Sequence, residues 1–96
     1  MNSFYLVGKV ADEADKSQSA SGMKIARFRL KVPRNSEQGP IDELYEITVF
    51  RDLAEENFRV GEIVGVCGKV SANNYEKDDV TRYNARLIGN TVSRIA

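Results

Sequence analysis

The sequence predicts a small all-β fold, a five-stranded barrel with one short helix between its third and fourth strands. Three observations support this fold class. The chain has 96 residues, which suits a single domain spanning residues 1–96. Strand-like runs alternate with short polar loops along the whole chain. One helical pattern interrupts them, over residues 51–59.

Five runs are predicted to be strands, and the first four show the alternating faces that are typical of half-buried strands. They cover residues 4–11, 23–32, 43–50, 62–71 and 81–95. The side chains predicted to face the core are Leu6, Gly8, Val10, Ala26, Phe28, Leu30, Val32, Tyr45, Ile47, Val49, Val64, Val66, Gly68 and Val70. Pro33 should end the second strand, because proline cannot donate to a sheet ladder. Polar loops are predicted at residues 12–22, 35–42 and 73–80.

The helical pattern lies between the third and fourth strands. Leu53, Ala54 and Phe58 recur at helical spacing, and Asp52 is placed to cap the first turn. Gly61 follows and should end the helix. Three strands, a helix and two strands is the element order of the OB-fold, a five-stranded, partly open barrel. Leu53 and Phe58 should therefore point into one end of the barrel.

The composition excludes most enzyme chemistry. The chain has no histidine and one cysteine, Cys67, so a Cys/His metal site, a His-based triad and an internal disulfide are ruled out. Neither a G-x-G-x-x-G motif nor a P-loop is present. We therefore predict no catalytic residue, no metal and no cofactor. The N-terminus lacks the features of a signal peptide, no apolar run is long enough to span a membrane, and an inert Cys67 suits the reducing cytoplasm.

The 14 basic and 14 acidic residues balance, but they are unevenly distributed. Residues 23–34 contain five basic residues and no acidic one. Arg27, Arg29 and Lys31 form a cationic stripe on one strand face, roughly 6–7 Å apart, and Arg34 continues it. That spacing is close to the distance between phosphates along an extended single strand. The alternative is an ordinary solvated face, although like charges in a row repel one another unless an anion lies between them.

Two aromatic residues are candidates for stacking on nucleic-acid bases. Phe50 lies on the polar face of its strand, and Tyr75 lies in a polar loop. The alternatives are that Phe50 packs under the helix and that Tyr75 docks on a partner subunit. Further phosphate contacts are predicted at Arg51, Lys69 and Arg82. These residues together predict a surface for single-stranded nucleic acid.

The sequence resembles the bacterial single-stranded DNA-binding protein family. The similar segments, in the family's order and spacing, are residues 6–10 (LVGKV), 22–32 (GMKIARFRLKV), 50–55 (FRDLAE) and 61–75 (GEIVGVCGKVSANNY). The resemblance implies an OB-fold, sequence-tolerant binding of single-stranded DNA in replication, recombination or repair, and self-association as a homotetramer or homodimer. It also implies that the aromatics Phe50 and Tyr75 stack on bases.

The chain departs from the family's pattern in several places. Leu44 matches a position that is usually aromatic, Glu46 matches one that is often basic, and residues 71–74 lack the usual charges. The chain ends at Ala96, without the acidic tail that recruits partners in typical members, so recruitment by that route is not expected. We therefore expect weaker and more salt-sensitive binding than a typical member of the family shows. The alternative is an interaction subunit of a replication-restart (primosome) complex, resembling primosomal replication protein N, with DNA contact secondary.

Overall fold

The computed structural model describes residues 1–72, 74–82 and 84–96. Asn73 of the predicted uncharged segment and Tyr83 of the predicted last strand lie outside the described residues. The described elements are β1 (Phe4–Val10), β2 (Asp15–Gln18), β3 (Lys24–Ser36), β4 (Gly39–Phe50), α1 (Asp52–Glu55), β5 (Ile63–Ala72), β6 (Tyr75–Lys77), β7 (Val80–Arg82) and β8 (Ala85–Arg94).

Five of these strands close a barrel, which confirms the predicted fold class. Neighbouring strands follow the order β1–β5–β8–β4–β3, and β3 pairs again with β1. The pairs are antiparallel except for β4 and β8, which run parallel. The short helix α1 lies between β4 and β5, the third and fourth strands of the barrel. This is the architecture of the OB-fold.

The core is built from side chains that the alternation predicted to face inward. The buried apolar residues are Val10, Ala26, Phe28, Leu30, Ile47, Val49, Ala54, Phe58, Val64 and Val66. Phe58 packs against Phe28 with 5.4 Å between the ring centroids, and Leu53 lies partly buried against the same cluster. Tyr45 is also partly buried against it, as predicted. The segment around α1 therefore closes one end of the barrel.

β1 and β3 meet at a short seam that completes the barrel. The seam consists of two residue pairs, Lys9 with Lys31 and Val10 with Leu30. Gly8 lies beside it, and a β-carbon at Gly8 would lie 2.5 Å from the carbonyl oxygen of Lys31. The close approach of the two backbones therefore requires glycine at this position.

β3 and β4 form a longer hairpin than predicted. Their pairing runs without interruption from Ile25 and Phe50 to Ser36 and Gly39, so Pro33 does not end the strand and residues 35–42 are not a loop. Among the described residues, β3 beyond Lys31 pairs with β4 alone. A strand with one free edge accommodates proline, because the missing N–H has no partner to lose there.

Two predicted loops contain short strands. Residues 12–22 include β2, which pairs with β3 although all four of its side chains are exposed. Residues 75–82 form the β6–β7 hairpin, with Asp78 and Asp79 at positive φ angles of 55° and 61°. Two consecutive positive φ angles are typical of a tight hairpin turn. Arg82 therefore belongs to this hairpin and not to the last barrel strand.

The helix is shorter than predicted and begins differently. α1 covers four residues, and no side-chain hydrogen bond caps its start, so the prediction that Asp52 caps it is wrong. Arg51 occupies the cap position, and Glu56 already has an extended backbone. The chain leaves the helix there because Phe58 must reach the core before β5 begins. Among the described residues, no helix is both long and apolar enough to cross a membrane.

Candidate nucleic-acid interface

The cationic stripe lies on the outer face of β3, as the alternation predicted. Arg29 and Lys31 are exposed, and Arg27 is half-buried. The residues of β4 opposite these three are Thr48, Glu46 and Leu44. In OB-folds the face of the second and third barrel strands, here β3 and β4, is the usual site for oligonucleotides.

The predicted separation of charges is wrong at this stripe, because acidic residues fold onto it. β2 sets Asp15 opposite Arg27, and Glu46 lies opposite Arg29. The Asp12 carboxylate accepts hydrogen bonds from the backbone N–H of Arg29 (3.0 Å) and from its Nε (2.6 Å). The backbone hydrogen bond lowers the pKa of Asp12 most, and the side-chain hydrogen bond lowers it further. The carboxylate therefore stays charged and offsets the charge of Arg29. Acidic side chains of the protein itself therefore lie beside Arg27 and Arg29.

At the other end of the stripe, one cation is paired and another is not. Arg34 Nε lies 3.1 Å from Glu43 Oε1. Lys31 forms no ion pair within the described part of the chain, and Lys9 of β1 lies directly opposite it. Lys9, Lys31 and Asp42 line one groove on this face. Like charges directly opposite each other repel, and a phosphate between them would relieve that repulsion. Sequence reasoning missed Lys9, although the alternation of β1 places it on the outer face.

Three predicted residues meet in one groove at the end of β4. This Phe50 groove has a volume of about 360 Å³ and is lined by Met23, Phe50, Arg51, Leu53, Lys69, Ile88, Gly89 and Asn90. Two of the lining side chains are cationic and none is acidic. Within the described residues, neither Arg51 nor Lys69 takes part in an ion pair. The groove therefore combines an aromatic side chain with uncompensated positive charge.

The placement of Phe50 fits both of the alternatives raised by the sequence. Its side chain is half-buried and shares the groove wall with Leu53 of α1. The protein holds one side of this aromatic ring, and the other side faces the groove. Such a ring offers a fixed surface on which a base can stack. Of the other lining residues, Met23, Ile88 and Asn90 were not predicted, because strands far apart in sequence bring them together.

Arg51 has an unusual backbone conformation at the mouth of this groove. Its φ of 60° and ψ of −126° lie in a region that side-chain-bearing residues rarely adopt. The Arg51 N–H donates a 2.9 Å hydrogen bond to the carbonyl oxygen of Lys24, which fixes the turn. Backbone strain of this kind costs about 1–3 kcal/mol and clusters at ligand-binding sites.

The remaining predicted residues, Tyr75 and Arg82, lie together on the β6–β7 hairpin. They are direct cross-strand partners, and Tyr75 is 50% exposed. Such partners have β-carbons about 4.5–5.5 Å apart on one face. The hairpin follows the fourth barrel strand, and the corresponding loop of OB-folds commonly contacts oligonucleotides. It presents a second aromatic beside a second cation.

Comparisons with known proteins agree with this geometry. A family model described as the single-strand binding protein family matches residues 1–95. The chain belongs to this family. Single-stranded DNA-binding protein 3 of Listeria innocua is 30% identical over 99 aligned residues, which cover 96% of this chain and 62% of that protein. The single-stranded DNA-binding protein of Enterococcus faecalis is 32% identical over 88 residues, covering 85% of this chain and 47% of that protein.

A solved structure also has a similar fold. A deletion mutant of the single-stranded DNA binding protein from Thermus aquaticus superimposes with a TM-score of 0.81 at 16% identity. The match covers 100% of this chain and 51% of the solved chain. It supports the OB-fold architecture. This chain thus spans about half the length of that protein, and 62% and 47% of the two relatives compared by sequence.

Proposed function

We propose that this protein binds single-stranded DNA without catalysis and largely without sequence preference, in replication, recombination or repair. The observation that carries the proposal is the Phe50 groove, where an aromatic lies beside Arg51 and Lys69 and no acidic side chain lines the wall. A base stacks on the ring while the neighbouring phosphates meet the two cations. Family membership supports this function. The primosome alternative is not favoured, because the relatives compared above are named single-stranded DNA-binding proteins.

The other predicted residues extend the proposed DNA path on both sides of the groove. Tyr75 and Arg82 form an aromatic and cationic pair on the β6–β7 hairpin. Arg27 and Lys31 lie on the β3 face and form no ion pair within the described residues. Arg29 and Arg34 remain predicted contacts, but their pairing with acids weakens their attraction for phosphate. The strongest contacts are therefore expected in and around the groove.

A fluorescence titration with oligo-dT at several salt concentrations tests the proposal. Each phosphate contact on a single strand contributes about 0.7 to the slope of log affinity against log salt. Arg51→Ala and Lys69→Ala should each flatten the slope by about that amount. Arg59→Ala removes an exposed arginine outside the groove and should leave the slope unchanged. Absence of binding even at low salt would contradict the proposed function.

Two substitutions at Phe50 separate stacking from packing. Phe50→Leu keeps an apolar side chain beside Leu53, whereas Phe50→Ala removes most of it. One stacked base contributes about 1–3 kcal/mol, so both variants should bind oligo-dT at least about fivefold more weakly. Thermal melts should show a larger loss of stability for the alanine variant. If Phe50→Leu binds like the parent protein, the stacking role is wrong.

We further propose that the chain self-associates as a homotetramer or homodimer through the outer face of β1. Tyr5 and Val7 are 65% and 41% exposed there, and Ile95 is 54% exposed. Tyr5 lies across Gly65, where a β-carbon would approach the tyrosine hydroxyl oxygen to 2.8 Å. Light scattering with and without oligo-dT gives the mass. A monomer under both conditions at micromolar concentration would contradict self-association.

A cytoplasmic location stays a prediction. Cys67 is exposed and unpaired, which suits a compartment that keeps thiols reduced. Fractionation of cells that produce the protein, with detection by antibody, would test this location. Recovery outside the cytoplasm would contradict it.

A further inference from the structure

Asn90 lies at a β-bulge on the edge of the Phe50 groove. Cys67 of β5 pairs with Thr91 of β8, and the next residue, Gly68, pairs with Gly89. Asn90 is the extra residue that this register shift leaves without a partner. A bulge of this kind turns a side chain out of its regular position and is frequent beside functional sites. Here the side chain of Asn90 is exposed and lines the groove.

Two glycines keep the bulge in place. A β-carbon at Gly68 would overlap the carbonyl oxygen of Ile88, so β5 and β8 approach too closely for any other residue. A β-carbon at Gly89 would lie 3.1 Å from methyl groups of Val49 and Val66 in the core. Because the backbone cannot shift easily at either position, Asn90 is held beside the groove by the packing of the barrel itself.

The amide of Asn90 is chemically suited to the edge of a nucleobase. It carries an acceptor oxygen and an NH₂ donor side by side. The Watson–Crick edge of every base also presents an N–H donor next to an acceptor, and in single-stranded DNA this edge is unpaired. A half-turn of the amide exchanges its donor and acceptor, so one asparagine matches all four bases. Such a contact adds affinity without selecting a sequence.

We propose that Asn90 hydrogen-bonds the Watson–Crick edge of the base that stacks on Phe50. The groove then holds one nucleotide, with Arg51 and Lys69 placed for its flanking phosphates. This inference rests on the proposed function of single-stranded DNA binding. It adds a base-edge contact to the electrostatic and stacking contacts already described, and it accounts for the position of the bulge.

The test uses a thymine isostere that stacks but does not hydrogen-bond. A dT oligomer of about eight nucleotides, within the site size of one OB-fold, is compared with the same oligomer built from difluorotoluene nucleotides. The wild-type protein should bind the isostere at least about fivefold more weakly, the lower end of one good bidentate contact. Equal affinity for the two oligomers would overturn the inference.

Variants connect this discrimination to Asn90. Asn90→Ala should bind both oligomers with nearly equal affinity, and Asn90→Gln, which keeps the amide, should restore part of the difference. Asn35→Ala removes an exposed asparagine of the β3–β4 hairpin and should keep the wild-type ratio. If Asn90→Ala keeps the wild-type ratio of affinities for the dT and difluorotoluene oligomers, another residue makes the contact and the inference is overturned. Failure of the wild-type protein to bind either oligomer would instead refute the proposed function.

Discussion

Thr48→Val should stabilise the protein, because the hydroxyl of Thr48 is buried without a partner. Thr48 is 1% exposed, and its Oγ1 forms no hydrogen bond with any described residue. Although it points to the outer face of β4, it is buried there, with Arg27 of β3 and Ile88 of β8 as its cross-strand partners. An unpaired buried hydroxyl costs about 1–3 kcal/mol in proteins. Valine keeps the branched shape that suits a strand and removes that cost.

We expect the free energy of unfolding to rise by about 1–2 kcal/mol. For a domain of this size, each kcal/mol raises the melting temperature by about 4–8 °C. Urea and thermal denaturation measure both quantities. Thr48→Ser is the matched control, since it keeps the hydroxyl, loses a buried methyl group and should destabilise by about 1 kcal/mol. Oligo-dT affinity should not change in either variant. A valine variant no more stable than the parent would refute this reasoning, because the hydroxyl must then have a partner.

Three further predictions follow from contacts described above. Gly68→Ala should destabilise by at least about 2 kcal/mol in urea, because its β-carbon would overlap the Ile88 carbonyl; a smaller loss would mean that the bulge adjusts easily. The lowered pKa of Asp12 means that its bond to Arg29 stabilises the fold above about pH 4 and that this stability is lost as pH falls through the folded-state pKa. Asp12→Asn should therefore lower stability at pH 7, and this loss should shrink as the pH falls below about 4; an equal loss at every pH would contradict this. Arg27→Ala should flatten the salt slope of oligo-dT binding more than Arg29→Ala, and the reverse order would show that Asp12 does not neutralise Arg29.

Much of the barrel could be predicted because alternation reports which side chains are buried. β3 and β5 place apolar residues inward at every second position, and these residues form the core. β2 could not be predicted in this way, because a fully exposed strand has no apolar period. Pro33 misled the prediction because whether a strand has a free edge is a property of the sheet and not of the local sequence.

The candidate site was predictable residue by residue but not as an arrangement. Phe50 of β4 and Lys69 of β5 were identified from their positions on polar strand faces, yet only the pairing of both strands with β8 brings them to one groove. The register shift that exposes Asn90 was not predicted, although Gly68 and Gly89 inside strands are a signal for such a bulge. Asp12 lies outside the basic segment 23–34, so the local sequence does not place it at the stripe, whereas β2 carries the neighbouring residues back along β3. Long-range pairing decides each of these outcomes.

The position of β8 has a consequence for how the protein is made. β8 lies between β4 and β5, so both of those strands keep an unpaired edge until β8 is added. The barrel therefore cannot close until the ribosome has synthesised β8. Shorter nascent chains expose unpaired strand edges, which promote misfolding and aggregation. We expect ribosome-bound chains arrested before β8 emerges to be cleaved readily by protease. Chains arrested well beyond β8 should resist cleavage, so folding of this domain should be a single late event during synthesis.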